Sequence, residues 1–313
     1  MEIIPFKYDD SYPASLSKTF IDYLNKEVNG KLFIIQEGDV IIPLLIRKKS
    51  IFNIGYFVHI PLKNLSRLSV EEEKRFLIDF ELFCKRNKLV DFILPPIHIE
   101  NFQHVPTNAQ GYKLGIISVK LLEKSNEELF DSFKPIYRRH IRNAEKSNVE
   151  IKFGQEYFDD FYTIYSDKLK QENAVFDSYD TLKKIVFNDN NDLHVQCGIA
   201  YLEGEIEAGI LNFSDSRNAY YMFGGSSRNA HNGSFRLLHW ELIKKYKAMG
   251  IEKYQLGANR EGEMLTDKHE RLASFKMGFG SEIQEGFHFI WVFNSLKFHL
   301  YQFLIKLKTK IKR

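Results

Sequence analysis

The residues best suited to chemistry are concentrated between Tyr220 and Gly280. The run Gly224-Gly225-Ser226-Ser227-Arg228-Asn229-Ala230-His231-Asn232-Gly233-Ser234 leads from a strand pattern directly into a helix pattern. Backbone N–H groups at a helix N-terminus favour phosphate, and small residues let a ligand approach the chain closely. Gly224, Gly225, Ser226, Asn232, Gly233 and Ser234 are therefore candidate cofactor contacts, and Arg228 adds a charged contact to a phosphate. A solvated loop ahead of a helix has the same composition. A second concentration is the basic turn Arg138, Arg139, His140 and Arg142. It suits a pyrophosphate-linked lipid, a sugar nucleotide or a tRNA backbone, or else a solvated helix face paired with nearby acids.

Several other chemistries lack support. HExxH, GxSxG, Walker and GxGxxG patterns are all absent, and the ten histidines fall without ligand spacing, so no metal is expected. Cys84 and Cys197 sit in no CxxC or Cys/His cluster, which favours a reducing, cytoplasmic setting, although a Cys-poor secreted protein has the same pattern. The opening MEIIPFKYDD reaches Asp9 and Asp10 before any long apolar run, unlike a secretory signal, and no apolar stretch is long enough to span a membrane.

Strand and helix patterns alternate along the 313 residues. Lys31–Ile35 and Val40–Arg47 flank a Glu37-Gly38-Asp39 turn, Asn53–Ile60 is a third apolar stretch, and Ser69 caps a helix that reaches about Asn87 before the strand Val90–Leu94. The later chain repeats this order: a hairpin from His194–Leu202 to Ile206–Phe213, a strand Asn218–Phe223, a helix Phe235–Met249 stopped by Gly250, and a strand Lys253–Leu256. QEGDVIIPLLI and LEGEIEAGILN superpose at an offset of 166 residues, and the same offset sets Gly55-Tyr56-Phe57 over Tyr221-Met222-Phe223. Two copies of one fold are expected. Between them lie a strand, Tyr112–Leu122, and a helical region, Asn126–Lys146, divided by Pro135.

The segment from YYMFGGSSRNAHNGSF to YQLGANREG, followed by RLASFKMGFG, resembles the GNAT superfamily of acyltransferases. It is most similar to the FemAB-type branch, which attaches amino acids to peptidoglycan precursors, and to related envelope-sugar N-acyltransferases. RRHIRNAEKSNVEI resembles the R-x-x-I-R-x-A-x-K helix of the same branch. The resemblance implies an α/β (α+β) fold of two tandem GNAT-like domains, with mixed sheets flanked by helices. Residues 1–122 and 123–290 would be the domains, the second catalytic, and residues 291–313 a basic amphipathic tail. It also implies that two parallel strands, Asn218–Phe223 and Lys253–Leu256, splay around the acyl donor. The donor would be acyl-CoA or aminoacyl-tRNA, and the acceptor an amine on an envelope sugar or peptide precursor.

On this resemblance Lys276, the lysine of an FK-x-x-FG motif, polarises the reacting ester, where a cation can stabilise a developing oxyanion. Tyr221 is expected near the acceptor, since Tyr220 and Tyr221 alternate across the strand. His239 is a candidate proton acceptor or a satisfied core histidine. The family's Y-D-x-G appears here as Tyr254-Gln255-Leu256-Gly257, so the chain has no acid at 255. Gln255 is counted with Asn259 and Phe275 among the substrate-binding residues. A catalytically silent module binding an envelope glycan or lipid, and an RNA-binding protein, are the competing readings.

The net charge of +3, from 44 Lys+Arg and 41 Asp+Glu, conceals a partition. No acid follows Glu285, whereas Lys297, Lys306, Lys308, Lys310, Lys312 and Arg313 do, leaving a body of −3 and a tail of +6. On a helical wheel Leu296, Leu300, Phe303, Leu304, Leu307 and Ile311 form one stripe. Such a helix suits an anionic membrane surface, at the inner face of the membrane, or packs its stripe on the body.

Overall fold

Local signals set many of the elements. Ser69 opens its helix through a reciprocal pair, Glu72 N–H donating to Ser69 Oγ at 3.4 Å and Ser69 N–H to Glu72 Oε2 at 3.0 Å. Ser125 and Glu128 repeat the device, and Pro135 occupies the first turn of the next helix. The computed structural model describes residues 1–8, 12–96, 100–188, 193–260 and 267–311. Asp9, Asp10, Lys312 and Arg313 lie outside the described residues, as do the side chains of Lys308, Lys310 and Ile311.

The strands are β1 (Glu2–Pro5), β2 (Lys31–Glu37), β3 (Val40–Lys49), β4 (Phe52–Phe57), β5 (Leu62–Lys63), β6 (Ser66–Arg67), β7 (Phe92–Leu94), β8 (Ala109–Lys120), β9 (Glu150–Phe153), β10 (His194–Leu202), β11 (Glu205–Ser214), β12 (Asn218–Ser226), β13 (Lys253–Arg260) and β14 (Glu282–Val292). The helices are α1 (Lys18–Val28), α2 (Val70–Asn87), α3 (Asn126–Asp131), α4 (Pro135–Lys146), α5 (Phe158–Gln171), α6 (Tyr179–Val186), α7 (Ser234–Ala248), α8 (Asp267–Lys276) and α9 (Ser295–Ile311).

The strands form one mixed sheet in the order β1-β2-β3-β4-β7-β14-β8-β13-β12-β11-β10-β9, with β5 and β6 at its margin. The expected repeat is present. In the first half the hairpin β2–β3 leads to β4, and α2 crosses to β7, which runs parallel to β4. In the second half β10–β11 leads to β12, and α7 crosses to the parallel β13. The centre is the antiparallel pair β8–β14, in register from Ser118–Glu282 to Ala109–Trp291. β8 also pairs with β13 and β14 with β7, so a strand from the early chain borders the later parallel pair and the reverse. β12 runs past Phe223 to Ser226, because Gly224, Gly225 and Ser226 continue the ladder with Ile210, Gly209 and Ala208. β13 runs past Leu256 to Arg260, held by β8.

Each face is covered by helices whose apolar side chains interlock with the strands. Tyr137, Ile141, Leu238, Ile243 and Phe279 fill the face under α4 and α7, while Phe161, Leu182, Phe213 and Tyr220 fill the opposite one under α1, α5 and α6. Phe76 and Phe80 of α2 pack with Phe57, Phe289 and Trp291. α9 docks on the first half through Phe298 and Tyr301, whose rings lie 5.2 and 5.0 Å from Phe92, and Lys297 Nζ sits 2.9 Å from Asp91 Oδ1. The docking side is opposite the leucine stripe. Leu296 is 82% exposed, and Leu300, Phe303, Leu304 and Leu307 are also exposed.

Candidate functional site

β12 and β13 pair only through Asn218–Lys253, Ala219–Tyr254 and Tyr220–Gln255. Beyond that point β12 stays with β11 and β13 with β8, so the two parallel strands diverge. A bulge between Gln255 and Gly257 accompanies the divergence, and Gly257 has φ +98°, a conformation that L side chains rarely adopt. A cavity of about 1020 Å³ lies along the freed part of β12. Its walls include Tyr221, Met222, Phe223 and Gly224 of β12, Tyr165 and Lys168 of α5, Tyr23 of α1, and Arg271 and Leu272 of α8. Tyr221 lines the cavity, whereas Tyr220 is buried and donates its hydroxyl to Asp215 Oδ2 at 3.2 Å.

Lys276 ends α8 and reaches across to β13. Its Nζ donates to the Ala258 carbonyl at 3.4 Å, and a Cβ added at Gly257 would lie 3.0 Å from the same nitrogen. Among the described residues no carboxylate pairs with it, and desolvation alone holds its pKa below the ordinary lysine value. The end of α8 is gripped from below. Lys134 N–H donates to the Gly278 carbonyl at 2.9 Å, and Tyr137 Oη to the Phe275 carbonyl at 3.1 Å. Phe279 is buried among Phe133, Tyr137 and His239. The basic helix and the FK-x-x-FG motif are thus one packed unit.

His239 lies inside that unit. It is fully buried among the rings of Tyr221, Phe235, Phe275 and Phe279, and it shares a 3.1 Å hydrogen bond between Nδ1 and Tyr254 Oη. Asn212 Nδ2 donates to the same hydroxyl at 3.1 Å, and His239 Nε2 is buried without a hydrogen bond among the described residues. Burial first, and Arg236 second, pull its pKa down to about 3, so the ring is neutral and a weak proton acceptor near pH 7. Phe275 stacks on Phe235 at 5.6 Å with a 7° interplanar angle, so Tyr221, His239 and Phe275 carry ring contacts from β12 across to α8.

The small-residue loop divides in two. Gly224, Gly225 and Ser226 are strand residues, and a Cβ at Gly225 would stand 2.6 Å from Lys168 Cδ. Arg228 is exposed. Asn232 and Gly233 border a hollow of about 330 Å³ with Arg139, His140, Asn143 and His231. Gly233 presses on α4, where a Cβ would stand 2.1 Å from the His140 carbonyl oxygen. The start of α7 already has an anion beside it: buried Glu207 accepts from His231 N–H and from Ser234 Oγ, the latter at 2.9 Å. Glu207 escaped the sequence reading. Its one signal is an acid within the apolar run of β11.

The basic turn does not converge. Arg138 donates to the Asp131 carbonyl at 2.6 Å, Arg142 lies 5.3 Å over the Phe130 ring, and of the three arginines only Arg139 borders the hollow, beside His140. Gln255 faces away from α7, and its Nε2 donates to Glu100 Oε1 at 2.7 Å. Asn259 is half-buried on β13 opposite Gly115. Lys168, Phe176 and Asp177 line the large cavity with no motif to announce them. No group of three His, Cys, Asp or Glu able to hold a metal occurs among the described residues.

The family described as an acetyltransferase (GNAT) domain matches residues 132–266. No curated protein matches the chain. Among solved structures it is similar to FemX, with a TM-score of 0.68 and 14% identity over 96% of this chain and 99% of that one. It is similar to the C-terminal domain of a proposed lysylphosphatidylglycerol synthetase from Agrobacterium fabrum, with a TM-score of 0.54 and 13% identity over 91% and 90% of the two chains. L-PGS from Bacillus licheniformis gives a TM-score of 0.53 and 12% identity over 92% and 95%. At these identities the likeness is one of fold.

Proposed function

We infer the reaction from the family: the chain carries a GNAT acetyltransferase domain at residues 132–266 within a FemX-like fold, and it is an acyltransferase of the GNAT/FemAB type. The reaction is transfer of an acyl or aminoacyl group to an amine on a cell-envelope precursor. The fold shared with FemX and with a proposed lysylphosphatidylglycerol synthetase supports an envelope acceptor.

The observation that carries the reading is Lys276, a desolvated ammonium without a carboxylate partner among the described residues, set beside the diverging β13. The acyl carbonyl lies between the two strands, and the acceptor enters through the Tyr221-lined cavity. The amine nitrogen bonds to the carbonyl carbon, the carbonyl electron pair moves onto oxygen, and Lys276 stabilises the oxyanion. Collapse breaks the bond to the donor's thiol or ribose oxygen. The nitrogen's surplus proton leaves through water or the departing group, since His239 is too weak a base to keep it. The side chains of Phe275 and Tyr221 shape the site, and Asn259 faces the substrate.

Glu207 bears on the donor. A pyrophosphate at the start of α7 would meet its carboxylate, which already takes the His231 N–H and the Ser234 hydroxyl. That favours a donor whose phosphates bind away from α7, as an aminoacyl-tRNA can, over acyl-CoA in the usual GNAT pose. A thermal-shift panel of acyl-CoAs against aminoacyl-tRNA separates the two.

Lys276→Ala tests the chemistry. Loss of one oxyanion contact predicts a fall in kcat of roughly 10²-fold, with unchanged circular dichroism. Transfer at the wild-type rate would remove Lys276 from the mechanism, whereas no transfer by the wild type with any donor would favour a silent binding module.

A further inference from the structure

A second polar cavity, of about 410 Å³, lies where the parallel strands of the first half end. His59 and Ile60 follow β4, Glu100 follows β7, and all three line it together with Arg67, Ser118 and Gln255. It shares no lining residue with the Tyr221 cavity. Ser118 and Gln255 present the faces of β8 and β13 opposite Val119 and Tyr254, which pack under α7. The molecule's internal repeat therefore places one cavity beside each parallel strand pair, the first fitted with different side chains from the second.

The cavity wall is built from satisfied groups and a few unsatisfied ones. Asp215 is satisfied: Oδ1 accepts from the N–H groups of Arg217 and Asn218, and Oδ2 accepts from the Ala14 N–H and the Tyr220 hydroxyl. Arg217 pairs with Glu252 at 2.9 Å. Arg67 Nη2 donates to the Asn101 carbonyl at 2.7 Å and to Asn101 Oδ1 at 3.5 Å, and the Glu100 and Glu73 carboxylates lie within electrostatic reach, yet its Nε is buried with no partner among the described residues. Gln255 is 4% exposed; Nε2 binds Glu100, and Oε1 accepts no hydrogen bond among the described residues. A buried donor or acceptor left unpaired costs about 1–3 kcal/mol, so a ligand that meets both gains from each. Arg67 asks for an anionic acceptor, and Gln255 Oε1 beside the Glu100 carboxylate asks for a cationic donor. His59 is buried, and desolvation lowers its pKa, so it adds little net charge.

We propose that this cavity binds a small zwitterion, a free α-amino acid, with its carboxylate toward Arg67 and its ammonium toward Glu100 and Gln255. The size falls within the range of small-molecule sites, about 300–1,000 Å³, and the opposed charges favour a molecule that carries both signs over a simple anion or cation. The site is independent of the transfer reading, because it uses none of the residues assigned to that reaction except Gln255, which the structure turns away from the cleft.

Titration calorimetry and thermal shift on the full chain test the proposal, using the common L-amino acids individually at millimolar concentration, with propionate, propylamine and glucose as single-feature probes. At least one amino acid should bind saturably and raise Tm, and the single-feature probes should bind at least about tenfold more weakly. Arg67→Met and Gln255→Leu should each weaken that amino acid by about tenfold or more while the unliganded circular dichroism is unchanged. If one variant does not fold, the other carries the comparison. No binding by any amino acid, equal binding of propionate or propylamine, binding of glucose alone, or wild-type affinity in a folded variant would each overturn it.

Discussion

At the scale of single residues, burial decides chemistry as much as identity does. His239 and Lys276 are both desolvated, with opposite consequences. The imidazole becomes a neutral packing group held by Tyr254, whereas the ammonium is left beside the cleft with a lowered pKa. For Lys276 the charged form is lost at lower pH than in free lysine, so transfer should fall as pH rises through that lowered value. In Lys276→Arg the guanidinium stays charged, and the alkaline limb of the pH–rate profile should move up; an unmoved limb would assign it to another group. For His239 the folded value of about 3 lies below the unfolded 6.5, so the unfolded chain binds the extra proton and stability is lost as pH falls below 6.5. Between about pH 8 and pH 5 the wild type should lose about 2 kcal/mol more than His239→Leu in urea titrations. Equal losses would mean that the ring is not buried neutral. Tyr221 was a candidate from strand alternation and Lys276 from the family resemblance, but the sequence was silent on Glu207, whose partners become neighbours only when β11 lies beside the start of α7.

At the scale of elements, hairpins and capped helices were legible because their signals are local. The capping boxes at Ser69 and Ser125 and the turn at Gly38 need only a few residues to act. β14 was not legible. Its partners β7 and β8 lie far back in the chain, and no local pattern specifies that pairing. The FK-x-x-FG segment shows the intermediate case, since its glycines matter through contacts with α3 and α4. A Cβ at Gly278 would stand 2.1 Å from Tyr137 Cε2, and Gly280, at φ +63°, would press on Ser132. Gly278→Ala should therefore cost about 1–3 kcal/mol by overpacking and push the end of α8 off α4. Because Lys276 is carried on that turn, transfer should fall by roughly 10²-fold in the folded fraction even though no reacting group is changed. Normal kcat in a destabilised Gly278→Ala protein would show that α8 does not position Lys276.

At the scale of the whole molecule, a net charge of +3 describes neither part of the chain. The body is mildly acidic, and within the +6 tail Ser295–Ile311 forms α9, docked through Phe298, Tyr301 and Lys297 so that its leucine stripe stands in water. The helix is secured by one side and exposes Leu296, Leu300, Phe303, Leu304 and Leu307 on the other, and we propose that this open face meets an apolar surface. No helix among the described residues is long and apolar enough to cross a membrane. The two contributions can be separated. Each basic residue near an anionic surface is worth about 1 kcal/mol and is screened by salt, whereas apolar insertion is not. Full-length protein should float with vesicles containing anionic lipid and be released only in part by high salt. The variant Leu300→Ser/Phe303→Ser/Leu307→Ser, altered only at exposed positions, should keep its Tm and its transfer to a soluble acceptor, and should leave the vesicles at moderate salt. Equal, salt-insensitive partitioning of variant and wild type would separate α9 from any membrane role. Transfer to a lipid-linked acceptor that falls in the variant, while the soluble reaction is unchanged, would tie the tail to where the chemistry happens rather than to how it happens.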